Sequence, residues 1–235
     1  MSISLKRIRA IFIKDYKEFS RNYGISVILI IPIVFAFLFR GADSSSGAIA
    51  FLLNCSFVIL TCLAQACLIA EEKERNTLRS LMMTPATTTD VLIGKSALVF
   101  VMSGVVLAIV TYILGYEPAS MWAYVAALFI STILYTAIGT ICGLFSKTLL
   151  EASLTILPVA TIFAGAPWGA QLVNDYPIFK LLDYMPSSQF VHLLSVSPAG
   201  YTMGELLKPL LIILIWTIVL TIVSVILYQR RLKDE

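Results

Sequence analysis

EEKERNTLRSLMMTP, residues 71–85, decides how the chain is threaded. Six of its first nine residues are ionisable, yet long runs without Asp, Glu, Lys or Arg lie on both sides. At about 2.5–3.5 kcal/mol per charge at the bilayer centre, placing six of them in lipid costs roughly 15–20 kcal/mol. The stretch therefore belongs in water, between two crossings of a membrane. It is also patterned as a helix. Glu71 and Arg75 form a favourable i,i+4 pair, and Leu78, Leu81 and Met82 make a small apolar stripe that Pro85 ends. "TTTD", residues 87–90, then restarts a helix, with Thr87 as N-cap and Asp90 at the third position.

Outward from this stretch the chain is apolar. Of 235 residues, 59% are hydrophobic and 13% charged, about half the charge of a soluble domain. Six runs carry no Asp, Glu, Lys or Arg, and the shortest has 18 residues, about 27 Å as a helix and close to a hydrocarbon core. The runs are continuously apolar, whereas barrel strands alternate. The expected fold is thus an all-α polytopic membrane protein, a single transmembrane domain over residues 1–235. Its six transmembrane helices fall near residues 24–39, 47–70, 91–114, 121–145, from 149 onward, and 209–228. A seventh charge-free run, 184–204, holds Pro186, Pro198, His192 and four serines. It reads as short extracellular helices, interfacial or re-entrant, within a long outer segment, 167–207, between spans five and six.

With the N-terminus in the cytoplasm, 14 Lys and Arg lie inside and three (Arg40, Lys180 and Lys208) outside, a strong positive-inside bias. Both termini are then cytoplasmic, and the net charge of +3 points to anionic headgroups rather than nucleic acid. Residues 1–22 read as an amphipathic interfacial helix, with Leu5, Ile8, Ile11, Phe12, Tyr16 and Phe19 on one stripe and Lys6, Arg9, Lys14 and Lys17 off it. Cys55, Cys62, Cys67 and Cys142 lie within spans without CxxC spacing and read as buried thiols. No cleavable signal peptide is expected, because the first apolar run follows a long basic segment.

The acidic start of 71–85 disfavours an anionic leaflet and suits a groove in a protein partner. The stretch "EEKERNTLRSLMMTPATTTDVLIGK" resembles the cytoplasmic segment of type-2 ATP-binding-cassette (ABC) exporter permeases. The resemblance falls on Glu72, Glu74, Arg75, Thr77, Leu78, Leu81, Pro85, Gly94 and Lys95, with Asn76 where a glycine is frequent. It implies that Glu71, Glu72, Glu74, Arg75, Thr77, Leu78, Leu81, Met82 and Pro85 form a cytoplasmic coupling helix between spans two and three. Such a helix sits in a cleft of a separate ATPase subunit. The assembly it implies has two ATPase copies, which bind ATP and Mg, and a second permease chain, identical or paralogous. The chain itself would carry no cofactor. The localisation implied is a bacterial or archaeal plasma membrane, and the cargo expected of so apolar a pathway is a drug, peptide or lipid-like molecule.

Several other features carry candidate readings. "IGKS", residues 93–96, ends like a phosphate loop but has Thr89 where the loop needs glycine, so no ATP site is expected here. Asn54 and Gln65 are the main large polar groups within spans; they can hydrogen-bond between helices or contact cargo in a substrate pathway. Gly139 and Gly143 form a GxxxG that permits close helix contact, within or between subunits. A secondary transporter would carry intramembrane carboxylates, whereas every carboxylate here falls near a predicted span edge. A membrane enzyme would need an acid–base pair or metal ligands, and the lone histidine, His192, has no evident ligand spacing. A sensor or immunity protein on the same scaffold would bind an ATPase but move nothing.

Overall fold

The computed structural model describes residues 4–40, 46–75, 87–170, 179–197 and 200–234. Among these residues the secondary structure is helical: α1 (Leu5–Arg21), α2 (Tyr23–Phe39), α3 (Ser46–Glu74), α4 (Thr88–Leu114), α5 (Met121–Phe145), α6 (Leu149–Ala170), α7 (Lys180–Asp183), α8 (Pro186–Leu194) and α9 (Met203–Asp234). In lipid only a structure that satisfies its own backbone can cross, and uninterrupted helices do so.

Five helices, α3, α4, α5, α6 and α9, are long and apolar enough to span a bilayer. The sixth expected span is α2. It has 17 residues, kinkable at Pro32, and reaches about 25 Å, short of a ~30 Å core. The sequence expectation of six spans is therefore met in length by five helices among the described residues. A second departure concerns the charged stretch. The helix of the second span does not stop before it but runs on to Glu74, so Glu71–Glu74 are the last turn of α3 rather than the first turn of a separate helix.

α3 and α5 form the buried centre, while α6 and α9 are the least covered. α6 presents Leu150, Leu154 and Leu157, and α9 presents Leu211, Ile215 and Ile218, all more than half exposed, as lipid-facing surfaces are. α3 meets α5 through the GxxxG. A Cβ on Gly143 would stand 2.8 Å from the Ala66 carbonyl oxygen, and one on Gly139 would overlap the Cys62 carbonyl oxygen. The motif that could have served a subunit interface is thus occupied inside the chain.

Within α3, residues Phe57–Cys62 form a π-helical turn. A π-turn rotates the residues that follow relative to an α-helix and often marks a functional region. Phe57 stacks on Tyr135 of α5, with ring centroids 5.2 Å apart, and meets Phe190 of α8 edge-on at 5.4 Å. α8 is correspondingly buried, with Ser187, Ser188, Gln189 and Phe190 all shielded.

α1 lies along α4. The buried residues of α1 are Ile11, Asp15 and Phe19, at i, i+4, i+8, whereas Leu5 is 83% and Tyr16 55% exposed. The apolar stripe read from sequence is therefore displaced, and an aspartate stands in its middle. Gly94 makes the contact possible, because a Cβ there would lie 2.8 Å from Ile11 Cγ2 and 3.2 Å from the Ile8 carbonyl oxygen.

Candidate functional site

The last turn of α3 places four consecutive charged residues about 100° apart around the helix, and each reaches a different neighbour. Glu71 pairs with Arg75, Oε1 to Nη2 2.7 Å, at the i,i+4 spacing, and the Asn22 side-chain amide between α1 and α2 approaches the same oxygen at 3.5 Å. Glu72 accepts from Lys95 of α4 at 2.8 Å and from Lys14 of α1 at 3.1 Å. Lys73 donates to the carbonyl oxygens of Leu144 and Ser146, both at 2.7 Å, covering the C-terminal end of α5, where an ammonium meets unsatisfied carbonyls. Glu74 accepts the Leu149 backbone N–H at 2.9 Å, at the start of α6, where a carboxylate complements the exposed amides. One helical turn thereby grips α1, α4, α5 and α6.

The deepest of these contacts is a four-charge cluster. Lys95, 1% exposed, lies between Glu72 and Asp15, and the Asp15 carboxylate is 3.2 Å from its ammonium. Lys14 bridges the same two acids from the solvent side, 3.5 Å from Asp15 and 3.1 Å from Glu72. Two acids and two bases balance the charge, as buried ions require. Burial pushes the Asp15 carboxyl above the usual carboxylate range; Lys95 pulls it back only in part, and Glu72 adds to the push. For Lys14, burial opposes the ammonium, but Glu72, Asp15 and Glu18 outweigh it and raise its pKa.

The start of α4 is locked separately. Thr87 Oγ1 accepts the Asp90 N–H and Asp90 accepts the Thr87 N–H, both at 3.1 Å, a complete capping box. Asp90 also pairs with Arg7 of α1 at 3.0 Å. "IGKS" offers no phosphate cradle: Gly94 is filled by Ile11, and the Lys95 ammonium is held by two carboxylates.

Of the residues singled out in the sequence, Glu71, Glu72, Glu74 and Arg75 come together at the end of α3, while Thr77, Leu78, Leu81, Met82 and Pro85 lie outside the described residues. Glu72 is buried and faces the bundle; Arg75, with its side chain 62% exposed, faces out. Asn54 and Gln65 are both buried between helices. Asn54 Nδ2 donates to the Ser187 carbonyl at 3.3 Å and Gln65 Nε2 to Thr140 Oγ1 at 3.1 Å. Their side-chain oxygens, Asn54 Oδ1 and Gln65 Oε1, are buried without a hydrogen-bond partner among the described residues.

Sequence reading missed Asp15, Lys14 and Lys95 as one unit. The available signals were an acid at the i+4 position between Ile11 and Phe19, and a lysine inside a helix that its capping box starts at Thr88. His192, read as lacking an evident ligand spacing, meets Asp183 at 2.6 Å on the exposed surface of α7 and α8.

A comparison with protein families matches residues 39–226 to the ABC-2 family transporter proteins. A comparison with curated proteins returns no match.

Proposed function

From the premise that the chain belongs to the ABC-2 family transporter proteins, and so is a multi-pass membrane permease that works with a cytoplasmic ATPase and not itself an ATPase, we propose that it exports a hydrophobic or amphipathic molecule and is driven through residues 71–85. In this reading α2 completes six spans and both termini are cytoplasmic. The membrane is a bacterial or archaeal plasma membrane. Two ATPase copies and a second permease chain, identical or paralogous, complete the transporter. ATP and Mg bind the ATPase, and this chain supplies no group to the nucleotide.

The observation that carries the proposal is the charged turn of α3. A push on 76–85 arrives at Glu71–Arg75, whose side chains hold α1, α4, α5 and α6. Ion pairs and charge-assisted hydrogen bonds are short and directional, so displacement of that turn moves four helices together rather than bending one loop. The buried oxygens of Asn54 and Gln65 and the π-turn between them mark where α3 can change its packing during the cycle.

The test is ATP-driven transport of a fluorescent amphipathic dye in vesicles holding the chain and its ATPase. Glu74→Lys and Arg75→Glu should each abolish transport while membrane insertion stays intact. Normal transport by both variants would overturn the coupling role.

A further inference from the structure

We infer that the groove between α4, α5 and α9 is a binding site for one acyl chain of a membrane phospholipid. α4 and α9 each pack on α5 but barely on one another, so α5 forms a floor between two walls. The groove so made has a volume of about 480 Å³, within the range of small-ligand clefts, ~300–1,000 Å³. Ala97 and Phe100 line one wall, Ile133 and Ala137 the floor, and Thr221 and Val225 the other wall.

Three features select hydrocarbon. First, the hydroxyls along the groove are largely engaged by their own helices. Thr136 donates to the Thr132 carbonyl at 2.7 Å, Thr140 to Thr136 at 2.9 Å and Ser224 to Thr221 at 2.8 Å. Thr221 Oγ1 alone is buried without a partner among the described residues, too little to select a polar ligand. Second, the end of the groove nearest the charged cluster is closed by Leu92, Leu144 and Tyr228, which pack in one buried group with Val225. That end is lined by apolar packing, and the groove's lining includes the exposed side chains of Ile93 and Phe129, as a lipid-facing surface does. Third, the dimensions fit one leaflet. The lining runs from Leu92 to Phe100 on α4 and from Phe129 to Thr140 on α5, about 12 and 17 Å, against half of a ~30 Å core. The inference rests on the membrane location and not on the identity of the cargo.

The experiment reconstitutes the 235-residue chain in nanodiscs containing a phosphatidylcholine with a diazirine on one acyl chain, irradiates it, and maps adducts by mass spectrometry. Adducts on residues 93–100 and 129–140 should exceed those on the open α6 surface at Leu150, Leu154 and Leu157 severalfold. Ala97→Phe and Ser96→Leu, which fill the groove, should each reduce the groove adducts severalfold and leave the α6 adducts unchanged. The α6 adducts thus report whether a variant is still folded, and the unsubstituted chain decides the matter if both variants fail. Equal labelling of groove and α6 in the unsubstituted chain would overturn the inference. So would groove labelling that survives both folded variants, an Ile93→Cys disulfide between two copies (a helix as occupant), or complete displacement by an amphipathic dye (a cargo site).

Discussion

Replacing Lys95 with Met removes the buried cation from between two acids while keeping the length of the side chain. Its ammonium stands 2.8 Å from Glu72 and 3.2 Å from Asp15. At an effective dielectric constant near 20, each contact is worth about 5–6 kcal/mol of gross attraction. Desolvation of the lysine, several kcal/mol, opposes that sum, and its removal leaves Asp15 and Glu72 facing each other with only the partly exposed Lys14 between them. Breaking a buried pair from one side costs about 3–5 kcal/mol. In a chain of this size that lowers Tm by roughly 6–20 °C. Thermal unfolding in detergent, followed by size-exclusion chromatography, measures it. The double variant Asp15→Leu/Lys95→Met removes one acid and one base, leaving the Lys14–Glu72 pair at 3.1 Å. Its cost should fall well below the sum of the two single variants, because a balanced apolar replacement of buried ions is often neutral. A Tm for Lys95→Met within about 2 °C of the unsubstituted chain, or strictly additive single effects, refutes the reasoning that the four charges act as a unit.

Other perturbations separate packing, capping and titration. Gly143→Ala pushes a methyl group against the Ala66 carbonyl and Ile69 and should cost about 1–3 kcal/mol, whereas Gly104→Ala, with nothing within 4 Å of the new atom, should stabilise by up to ~1 kcal/mol; equal melting shifts would contradict the close α3–α5 contact. Thr87→Ala removes the hydroxyl half of the capping box and should lower stability by about 1 kcal/mol, measured by denaturant melts. The raised pKa of Asp15 means the fold favours its protonated form. Its contribution is therefore full below the unfolded value of about 3.9 and is lost as pH rises through the folded value. Asn mimics the protonated side chain, so the stability of Asp15→Asn relative to the unsubstituted chain should improve as pH rises from 4 towards 7; a shrinking gap would mean that the carboxylate is the favoured form. Lys14, also raised, acts in the same sense at the alkaline end: its contribution is full below about 10.4 and is lost as pH rises through the folded value.

Much of the architecture is legible along the chain because a helix in lipid satisfies its backbone locally. Residues 121–145 are a span by length and apolarity alone, and α5 occupies that range. The capping box at Thr87 and Asp90 and the Glu71–Arg75 pair involve residues three and four apart, so spacing suffices to find them. α1 was harder. Its apolar residues allow two overlapping stripes, and only the neighbour, α4, selects the one containing Asp15.

The sequence by itself determined that residues 47–70, 91–114 and 121–145 lie in long apolar helices and that a charged turn follows the first of them, since each depends on composition over a short window. Tertiary structure alone decided that Asp15, Glu72 and Lys95 share one buried cluster, that Gly94 receives Ile11, and that Gly143 lies on Ala66. These contacts join residues dozens of positions apart. A Coulomb interaction or a van der Waals contact depends on distance in space, which is set only when the helices have packed.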